Sequence, residues 1–428
     1  MLTTCDSPVG NPPRLELRPR NRSSQDWSAI RFLFYSHDGH GLGHTRRNLA
    51  LASALVEQAP GSSILLATSV DAVDELGVPP NTDVLKLPSM RKVSNGAYAA
   101  RRLPLSGGDL GRLRGALLES AVKSFRPSVM LVDKHPLGMR GELRAALERL
   151  QAQGGRAVLG LRDILDDPVT VAREWLSERI PQSVARYYDQ VLVYGDQRVV
   201  DAREEYGMPS AMRAQTRFCG YVADRGGARA GAPPTMRATD EARTRPLVLA
   251  TAGGGEDGLA VLSTFIRATA DAPWDGVVVS GPLSGDAAEM QRLSLESGVG
   301  FRRSVPTLGD WFAEVDALVC MGGYNTLSEA LCHATPTVCV PRTSPRREQL
   351  IRARLLESRG LLRMVAPDEL STVRLGEEIA AVLETTRDQL VERRRRSLEV
   401  DGASRAASFL LAQAAAGAGG RTAVPLAA

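Results

Sequence analysis

The chain has 428 residues, of which 43% are hydrophobic and 24% are charged, and its formal net charge is +4. This composition is that of a soluble globular protein and excludes a chain that is too polar to fold. The length favours two domains over one core, and so small a net charge excludes the concentrated basic face that nucleic-acid binding requires.

The apolar runs and the cysteines argue for a cytoplasmic protein. No apolar run is long enough to cross a bilayer, and the N-terminus lacks the apolar stretch of a signal peptide. The five cysteines are odd in number and form no CxxC pair, which favours buried thiols and gives no zinc motif. We therefore expect a cytoplasmic protein whose contact with the inner face of a membrane is at most peripheral.

Ordered structure is predicted to begin at Ile30, after a flexible leader of residues 1–29 that is rich in Pro, Arg and Ser. From there to residue 222, strand-like runs alternate with helical patterns such as Arg46–Gln58 and Gly141–Gln153. The runs are RFLFYS, SSILLAT, DVLKLP, SVMLVD, RAVLGL and QVLVYG. This alternation predicts an α/β domain whose parallel sheet is covered on both faces.

A segment rich in Gly, Ala, Arg and Pro at residues 223–245 predicts a linker. A second alternating set follows at residues 246–412, with the strand-like runs PLVLAT, DGVVVSG, GFRRSV, DALVC and PTVCVP. Residues 413–428, rich in Ala and Gly, are predicted to be a disordered tail. We therefore expect an α/β protein with two Rossmann-like, doubly wound domains of parallel strands and a cleft between them.

The first strand leads into a glycine turn that ends in Gly43 and His44, and a helix is predicted from about Thr45. The turn lacks the spacing of a dinucleotide fingerprint, so NAD binding is not expected. A metal site on His37, His40 and His44 is disfavoured because glycines separate these residues. Two interpretations of His44 stay open: a structural residue at the helix start, or a general base that faces the cleft.

Charged residues follow two later strands of the same domain, where the carboxyl ends of parallel strands face the interdomain cleft. Asp133 ends the run SVMLVD and His135 follows it, while Arg162 and Asp163 follow RAVLGL. Asp133 and His135 are alternative general bases. Arg162 and Asp163 either form an ion pair that shapes their loop or recognise an acceptor.

In the second domain, Gly253, Gly254 and Gly255 follow the run PLVLAT and precede a helix. Successive N–H groups in such a turn form an anion nest, and the positive end of the helix dipole favours a diphosphate. Glu256 and Asp257 come next. An acid so near a diphosphate has to point away from it or bind another group of the substrate.

The most informative segment is Cys320 to Leu350, which reads CMGGYNTLSEALCHATPTVCVPRTSPRREQL. After a strand it has two glycines that let a ligand approach the backbone, and then a helix start that favours anions. An acid one turn inside the helix suits ribose hydroxyls, and a later acid and amide suit sugar hydroxyls. These residues are Gly322, Gly323, Asn325, Thr326, Glu329, Glu348 and Gln349. Together they predict a binding site for a nucleotide-diphosphate sugar.

From about Val305 to Gly360 the sequence closely resembles the C-terminal signature of family 28 glycosyltransferases, the type that builds the peptidoglycan lipid intermediate, and of plant galactolipid synthases. Elsewhere the resemblance is weak. It implies the GT-B fold and an inverting, metal-independent transfer of a hexosyl group to a hydroxyl or amine. The donor it implies is a nucleotide-diphosphate sugar, most often a UDP-sugar, and no bound cofactor is implied.

The resemblance also distributes roles over the two domains. It implies a general base at His44, with Asp133 and His135 as alternates, and puts the donor at the glycine turns and acids of the second domain. Gly43, Arg162 and Asp163 would lie on the acceptor side. Apart from the resemblance, a loop predicted from Met90 to Gly108 would help to determine the acceptor, a small molecule or a lipid-linked compound. Its basic part, Met90 to Arg102, is equally compatible with contact to an acceptor, a phosphate or a membrane surface and with an ordinary exposed loop.

Two further functions are compatible with the same fold. A nucleotide-sugar 2-epimerase would use the same cleft without an acceptor and would need carboxylates that flank the sugar. A non-catalytic protein that binds nucleotide sugars would bind its ligand tightly without turnover. Consumption of the donor with and without an acceptor separates these functions from the transferase.

Overall fold

Two parallel sheets form the framework of the protein. The computed structural model describes residues 29–37, 42–71, 73–94, 97–224, 244–255, 257–305 and 308–419. Almost all of the predicted leader, most of the predicted linker, His40 and Glu256 lie outside the described residues. Nothing tests the predictions made for them.

The described residues of the first half of the chain form nine strands, and seven of these strands pair in parallel. They are β1 (Arg31–Tyr35), β2 (Ser63–Thr68), β3 (Thr82–Lys86), β4 (Met90–Ser94), β5 (Ala97–Ala100), β6 (Val129–Asp133), β7 (Arg156–Arg162), β8 (Gln190–Tyr194) and β9 (Thr216–Phe218). The parallel sheet has the order β3-β2-β1-β6-β7-β8-β9. The six strand-like runs predicted for this domain correspond to β1, β2, β3, β6, β7 and β8.

Seven helices connect and cover these strands. They are α1 (Gly43–Gln58), α2 (Gly107–Phe125), α3 (Arg144–Ala152), α4 (Pro168–Ser177), α5 (Ile180–Tyr187), α6 (Ala202–Glu205) and α7 (Ser210–Gln215). Every residue of β6 and β8 is buried. Burial on both faces explains why these strands are almost continuously apolar in sequence, without the alternation of a half-exposed strand.

The second sheet contains six parallel strands in the order β12-β11-β10-β13-β14-β15. They are β10 (Leu247–Thr251), β11 (Asp275–Val279), β12 (Gly300–Arg302), β13 (Ala317–Cys320), β14 (Thr337–Cys339) and β15 (Arg363–Met364). The helices of this half are α8 (Leu259–Thr269), α9 (Ala287–Glu296), α10 (Leu308–Trp311), α11 (Tyr324–His333), α12 (Glu348–Glu357), α13 (Thr372–Leu383) and α14 (Arg387–Ser397). The five strand-like runs predicted here correspond to β10 to β14.

The last helix, α15 (Gly402–Gly419), returns to the first domain and packs against α1. Gln58 of α1 donates a hydrogen bond to Ser404 and accepts one from Ser408. The disordered tail predicted from residue 413 is therefore wrong for residues 413–419, because the alanine-rich run stays helical and buries Ala414. The predicted domain boundary at residue 412 falls inside this helix.

The segment predicted as a loop from Met90 to Gly108 contains two strands, so the prediction of a loop is wrong for residues 90–94 and 97–100. β4 and β5 pair in antiparallel fashion, and α2 begins at Gly107. Met90 and Ala100 are buried in a small cluster with Leu110 and Met139. This burial gives the hairpin an apolar anchor that a basic composition does not reveal.

Each sheet has one place where the strand order reverses, between β1 and β6 in the first sheet and between β10 and β13 in the second. Ligands of parallel α/β sheets bind in the crevice outside the carboxyl ends of such strands. His44 follows β1 and Asp133 ends β6, whereas Gly253 follows β10 and Gly322 follows β13. The topology therefore brings the predicted turns together at two crevices.

Candidate active site

A cleft of about 350 Å³ lies between the two domains and is lined by both crevices. The amide of Asn325, at the start of α11, donates a 3.0 Å hydrogen bond to the backbone oxygen of Gly43, at the start of α1. The predicted site residues that line the cleft are Gly43, His44, Arg162, Gly253, Gly254, Gly255, Gly323, Asn325, Thr326, Glu329 and Gln349. The predicted residues that lie behind this lining are Asp133, His135, Asp163, Gly322 and Glu348.

His44 and Asp133 form an imidazole–carboxylate pair at the first crevice. His44 Nδ1 lies 3.2 Å from Asp133 Oδ2, and the His44 side chain is 18% exposed while that of Asp133 is fully buried. An imidazole that donates its Nδ1–H to a carboxylate keeps a free lone pair on Nε2. This arrangement suits a base that receives a proton from a group in the cleft.

Arg47 completes this pair, although no sequence motif signals it. Its Nη2 lies 2.5 Å from Asp133 Oδ2 and 3.0 Å from His44 Nδ1. A guanidinium only donates, so the tautomer decides whether His44 Nδ1 donates to Asp133 or accepts from Arg47. We assign the Nδ1–H to Asp133, because this satisfies the imidazole and leaves Arg47 paired with the same carboxylate.

The neighbours of Asp133 keep its carboxylate ionised. Burial alone would raise the pKa of the Asp133 carboxyl, but the charge of Arg47 and the contacts with His44 lower this pKa well below its usual range. An ionised Asp133 orients His44 and stabilises an imidazolium, yet it accepts a proton poorly. The geometry and the charge both favour His44 over Asp133 as the base.

A second pair of imidazoles lies behind His44. The ring centroid of His37 is 4.8 Å from that of His44 and 4.6 Å from that of His135. His135 Nδ1 lies 3.5 Å from an oxygen of Glu178. Burial lowers the pKa of both His37 and His135. His135 therefore lies one ring removed from the base candidate.

Arg162 and Asp163 are consecutive but do not pair with each other, so the ion pair that the sequence suggested is wrong. Asp163 is instead bound by Arg352 of α12, with Nε–Oδ2 and Nη2–Oδ1 distances of 2.8 and 2.7 Å. Successive residues at the end of a strand point to opposite sides. Arg162 accordingly lines the cleft, while Asp163 is buried in the domain interface.

Tyr324 connects the base cluster to this interface and was also missed. The guanidinium carbons of Arg47 and Arg352 lie 5.3 and 5.6 Å from the centroid of the Tyr324 ring, within cation–π range. The Tyr324 hydroxyl accepts a 2.9 Å hydrogen bond from the Val222 N–H. No sequence spacing signals these contacts, because Arg47 and Val222 lie 277 and 102 positions from Tyr324 in the chain.

The Gly253–Gly255 turn has the backbone conformation of an anion site, but two of its three N–H groups already donate hydrogen bonds within the protein. The N–H of Gly253 donates to Thr251 Oγ1 and that of Gly255 to the Ala252 oxygen. The N–H of Gly254 has no hydrogen bond within the described part of the chain. Gly254 is thus the donor that a phosphate can use.

The acid that follows this turn is neutralised. Asp257 accepts a 2.7 Å hydrogen bond from Arg342 Nη1, and Arg342 itself lines the cleft. The sequence left open whether Asp257 points away or binds a substrate group. Its pairing with Arg342 removes the repulsion that a free carboxylate would exert on a diphosphate.

The turn after β13 requires glycine and presents polar groups to the cleft. Gly322 has φ +81°, and a Cβ there would lie 3.0 Å from Cys339 Sγ. Thr326 directs its hydroxyl towards Gly253, 3.7 Å from the position of a Cβ on that residue. Glu329 is buried on α11 and lines the cleft, one turn inside the helix as the sequence predicted.

Glu348 and Gln349 begin α12 and differ in their surroundings. Gln349 lines the cleft, and its oxygen accepts a 3.0 Å hydrogen bond from the Arg342 N–H. Glu348 is buried, and its Oε2 has no hydrogen-bond partner in the described residues. A buried acceptor without a partner is costly unless a ligand hydroxyl reaches it.

The described residues contain no group of three or more His, Cys, Asp or Glu side chains arranged to hold a metal ion. Within the same residues, no helix has both the length and the apolar character needed to span a bilayer. A reaction without a metal stays a prediction from the sequence.

No protein-family model matches the chain, and no curated protein matches it. Several solved structures do match the chain. The spinosyn forosaminyltransferase SpnP has 16% identity and a TM-score of 0.62, over 90% of this chain and 100% of that one. The glycosyltransferase VinC, in complex with dTDP, has 16% identity and a TM-score of 0.61 over the same shares. MurG of Acinetobacter baumannii has 12% identity and a TM-score of 0.54, over 90% of this chain and 99% of that one.

The chain has the GT-B fold. Alignment over nine-tenths of the chain includes both sheets and the cleft, which confirms the predicted architecture. At such low identities the likeness establishes the fold, and folds of this kind support several activities. The assignment to family 28 stays a prediction, and the function has to be argued from the site.

Proposed function

We propose that the protein is a glycosyltransferase that moves a hexosyl group from a nucleotide-diphosphate sugar to a hydroxyl or amine of an acceptor, with inversion and without a metal. The observation that carries this proposal is the opposition of two sites across one cleft. The first domain supplies the His44–Asp133 pair, and the second supplies the glycine turns and the start of α11. A base that faces an anion-binding turn is what such a transfer needs.

In the proposed reaction, the acceptor oxygen or nitrogen attacks the anomeric carbon of the sugar while its proton passes to His44 Nε2. The bond from the anomeric carbon to the diphosphate oxygen breaks, and the diphosphate leaves with the electron pair. Asp133, ionised and bonded to Nδ1–H, stabilises the imidazolium that forms. Attack opposite the leaving group inverts the anomeric carbon.

The leaving diphosphate gains negative charge and needs donors that are already in place. The free N–H of Gly254, the hydroxyl of Thr326 and the N-terminal end of α11 meet at this side of the cleft. A helix of this length adds about half a positive charge at its start. Glu329 would accept the ribose hydroxyls, and Glu348 with Gln349 those of the sugar.

The donor nucleotide is tested first, by thermal unfolding of the full chain with UDP, dTDP, GDP and ADP and their hexoses. UDP follows from the sequence resemblance, and dTDP is included because it is the ligand of VinC. A nucleotide at one hundred times its Kd adds about 2.7 kcal/mol to the free energy of unfolding. Glu329→Ala should lose this gain, whereas Glu377→Ala, at an exposed glutamate of α13, should keep it.

Turnover with the preferred donor then separates the functions. In a transferase, His44→Ala lowers kcat by about 10²–10⁴-fold and leaves the donor Kd nearly unchanged, because a base acts in the transition state. His135→Ala should keep most of the rate. Release of nucleotide that needs no acceptor and yields an epimerised sugar would support the epimerase, and tight binding without turnover would support a binding protein. No stabilisation by any nucleotide would remove the basis of the proposal.

A further inference from the structure

Two cations lie side by side at the carboxyl edge of the first sheet. Arg162 ends β7 and lines the cleft. Lys134 directly follows β6, the neighbouring strand, and its N–H donates a 2.8 Å hydrogen bond to the Gly160 oxygen of β7. Lys134 has φ +72°, a conformation that a lysine adopts only when its surroundings impose it. Both side chains are at least half-buried.

Neither cation has an acidic partner. No carboxylate of the described residues lies within ion-pair distance of Arg162 or Lys134, and neither side chain makes a hydrogen bond there. The Nε of Arg162 is fully buried without an acceptor. Burial lowers the pKa of Arg162 and lowers that of Lys134 to about 8, as expected for charges that lack compensation.

The acids near these two residues are already paired with other arginines. Asp133 binds Arg47, Asp163 binds Arg352, and Arg346 takes both Asp166 and Glu174. Glu348 attracts both cations but stays beyond ion-pair distance, and its nearest arginine is Arg342 at 3.7 Å. The positive charge of Arg162 and Lys134 is therefore available to a ligand.

We propose that Arg162 and Lys134 bind an acidic group, a carboxylate or a phosphate, that the acceptor carries. This inference rests on the proposed transferase function and names the class of acceptor, a hydroxyl or amine compound with a negative charge. A guanidinium forms paired hydrogen bonds with either kind of oxyanion, and an ammonium adds a point charge beside it.

The position of the two residues favours the acceptor over the donor. The donor phosphates are expected at Gly254 and the start of α11, which belong to the second domain. Arg162 and Lys134 belong to the first domain: Lys134 directly follows Asp133 at the end of β6, and Arg162 ends the neighbouring strand β7. An acceptor has to reach His44 from this side, so an acid on that acceptor meets Arg162.

The test uses the full chain with inorganic phosphate and with benzoate as separate probes, each titrated with and without a saturating nucleoside diphosphate. Affinity is measured by calorimetry for the unmodified protein, Arg162→Gln, Lys134→Gln and, as a matched control, Arg144→Gln at an exposed arginine of α3. We expect either probe to bind beside the nucleotide. We expect the Kd to rise about tenfold or more in Arg162→Gln, less in Lys134→Gln, and not at all in Arg144→Gln.

The outcomes separate this inference from the proposed function. Equal affinity of Arg162→Gln and the unmodified protein, or loss of probe binding when the nucleotide is present, would overturn the inference, since the probes would then occupy the donor site or a surface. If no nucleotide binds but phosphate binding still depends on Arg162, the anion site stands and the transferase proposal fails. A sharper readout is the rate with 4-hydroxybenzoate against 4-hydroxybenzyl alcohol, whose ratio should fall in Arg162→Gln.

Discussion

Around His44, the charged side chains differ in how well they are compensated. Arg47 and Asp133 neutralise each other at 2.5 Å, whereas Lys134, which follows Asp133 in the chain, has no acid within ion-pair distance among the residues that the structure describes. A cation in such a place costs folding free energy as long as it stays protonated. The uncompensated charge of Lys134, which is available to a ligand, therefore also has a measurable effect on the free energy of unfolding.

Lys134 should make the protein more stable at alkaline pH. Burial, followed by the charges of Arg162 and Arg346, lowers its folded pKa to about 8, against an unfolded pKa of about 10.4. Between these values the unfolded chain holds a proton that the folded chain has lost, so the free energy of unfolding rises with pH. Urea unfolding of the unmodified protein and of Lys134→Gln, from pH 7.5 to 10.5, measures the difference. Parallel curves for the two proteins would show that Lys134 titrates normally.

For single residues, the sequence predicts which side chains lie at the site better than it predicts which residues they contact. His44, Asp133 and Glu329 were found because they lie at turns after strands or one turn into a helix, and chain order shows such places. Arg47, Tyr324 and Arg352 were not found, because each acts through a contact with a residue far away in the chain. The Arg162–Asp163 pair, one of two alternatives that the sequence left open, does not form, because successive residues at the end of a strand point to opposite sides.

Among the elements, the turn after β10 requires glycine at Gly255. Gly255 has φ +95°, and a Cβ there would lie 2.4 Å from the Ser280 oxygen. Alanine at this position has to shift the backbone, and the shift moves the neighbouring N–H of Gly254. The turn therefore holds its donor in place through a close approach between the loops that follow β10 and β11.

Gly255→Ala should weaken the binding of a nucleoside diphosphate, by about tenfold or more, because it displaces a donor to the phosphate. Gly285→Ala is the matched control, since Gly285 is exposed nearby and a Cβ there has no atom within 4 Å. Calorimetric Kd values with the preferred nucleotide measure both variants. An unchanged Kd in Gly255→Ala, with the fold intact, would place the phosphates elsewhere in the cleft.

The prediction of an element from sequence is right where the local sequence determines the element, and wrong where tertiary contacts determine it. The eleven strand-like runs all became strands. Inner strands such as β6 and β8 are buried on both faces and are apolar throughout, whereas the edge strands β3 and β12 are partly exposed and were found from their alternation with helices. The hairpin β4–β5 was not predicted, because it is anchored by a tertiary contact, the packing of Met90 in a buried cluster with Leu110. The end of α15 was not predicted, because a run of small residues is also typical of a disordered tail, and its helix is stabilised by packing against α1.

Across the whole molecule, polar contacts between the domains surround the cleft. The buried pair of Arg352 with Asp163 is the strongest of them, and Arg346 adds contacts to Asp166 and Glu174. Tyr324, between Arg47 and Arg352, joins this interface to the base cluster. Opening the cleft by domain movement would separate the buried Arg352–Asp163 pair and lose its two hydrogen bonds, so this pair is specific to the closed arrangement.

A double-mutant cycle on Arg352 and Asp163 tests this closure. Asp163→Asn or Arg352→Met alone should lower the free energy of unfolding by about 3–5 kcal/mol, because each leaves an uncompensated buried charge. The double variant Asp163→Asn with Arg352→Met should lose less than the sum of the two single losses, since no buried charge remains. Arg292→Ala, in an exposed pair with Glu289 on α9, should change nothing measurable. Urea unfolding gives all four values, and strictly additive losses would mean that this pair does not hold the two domains together.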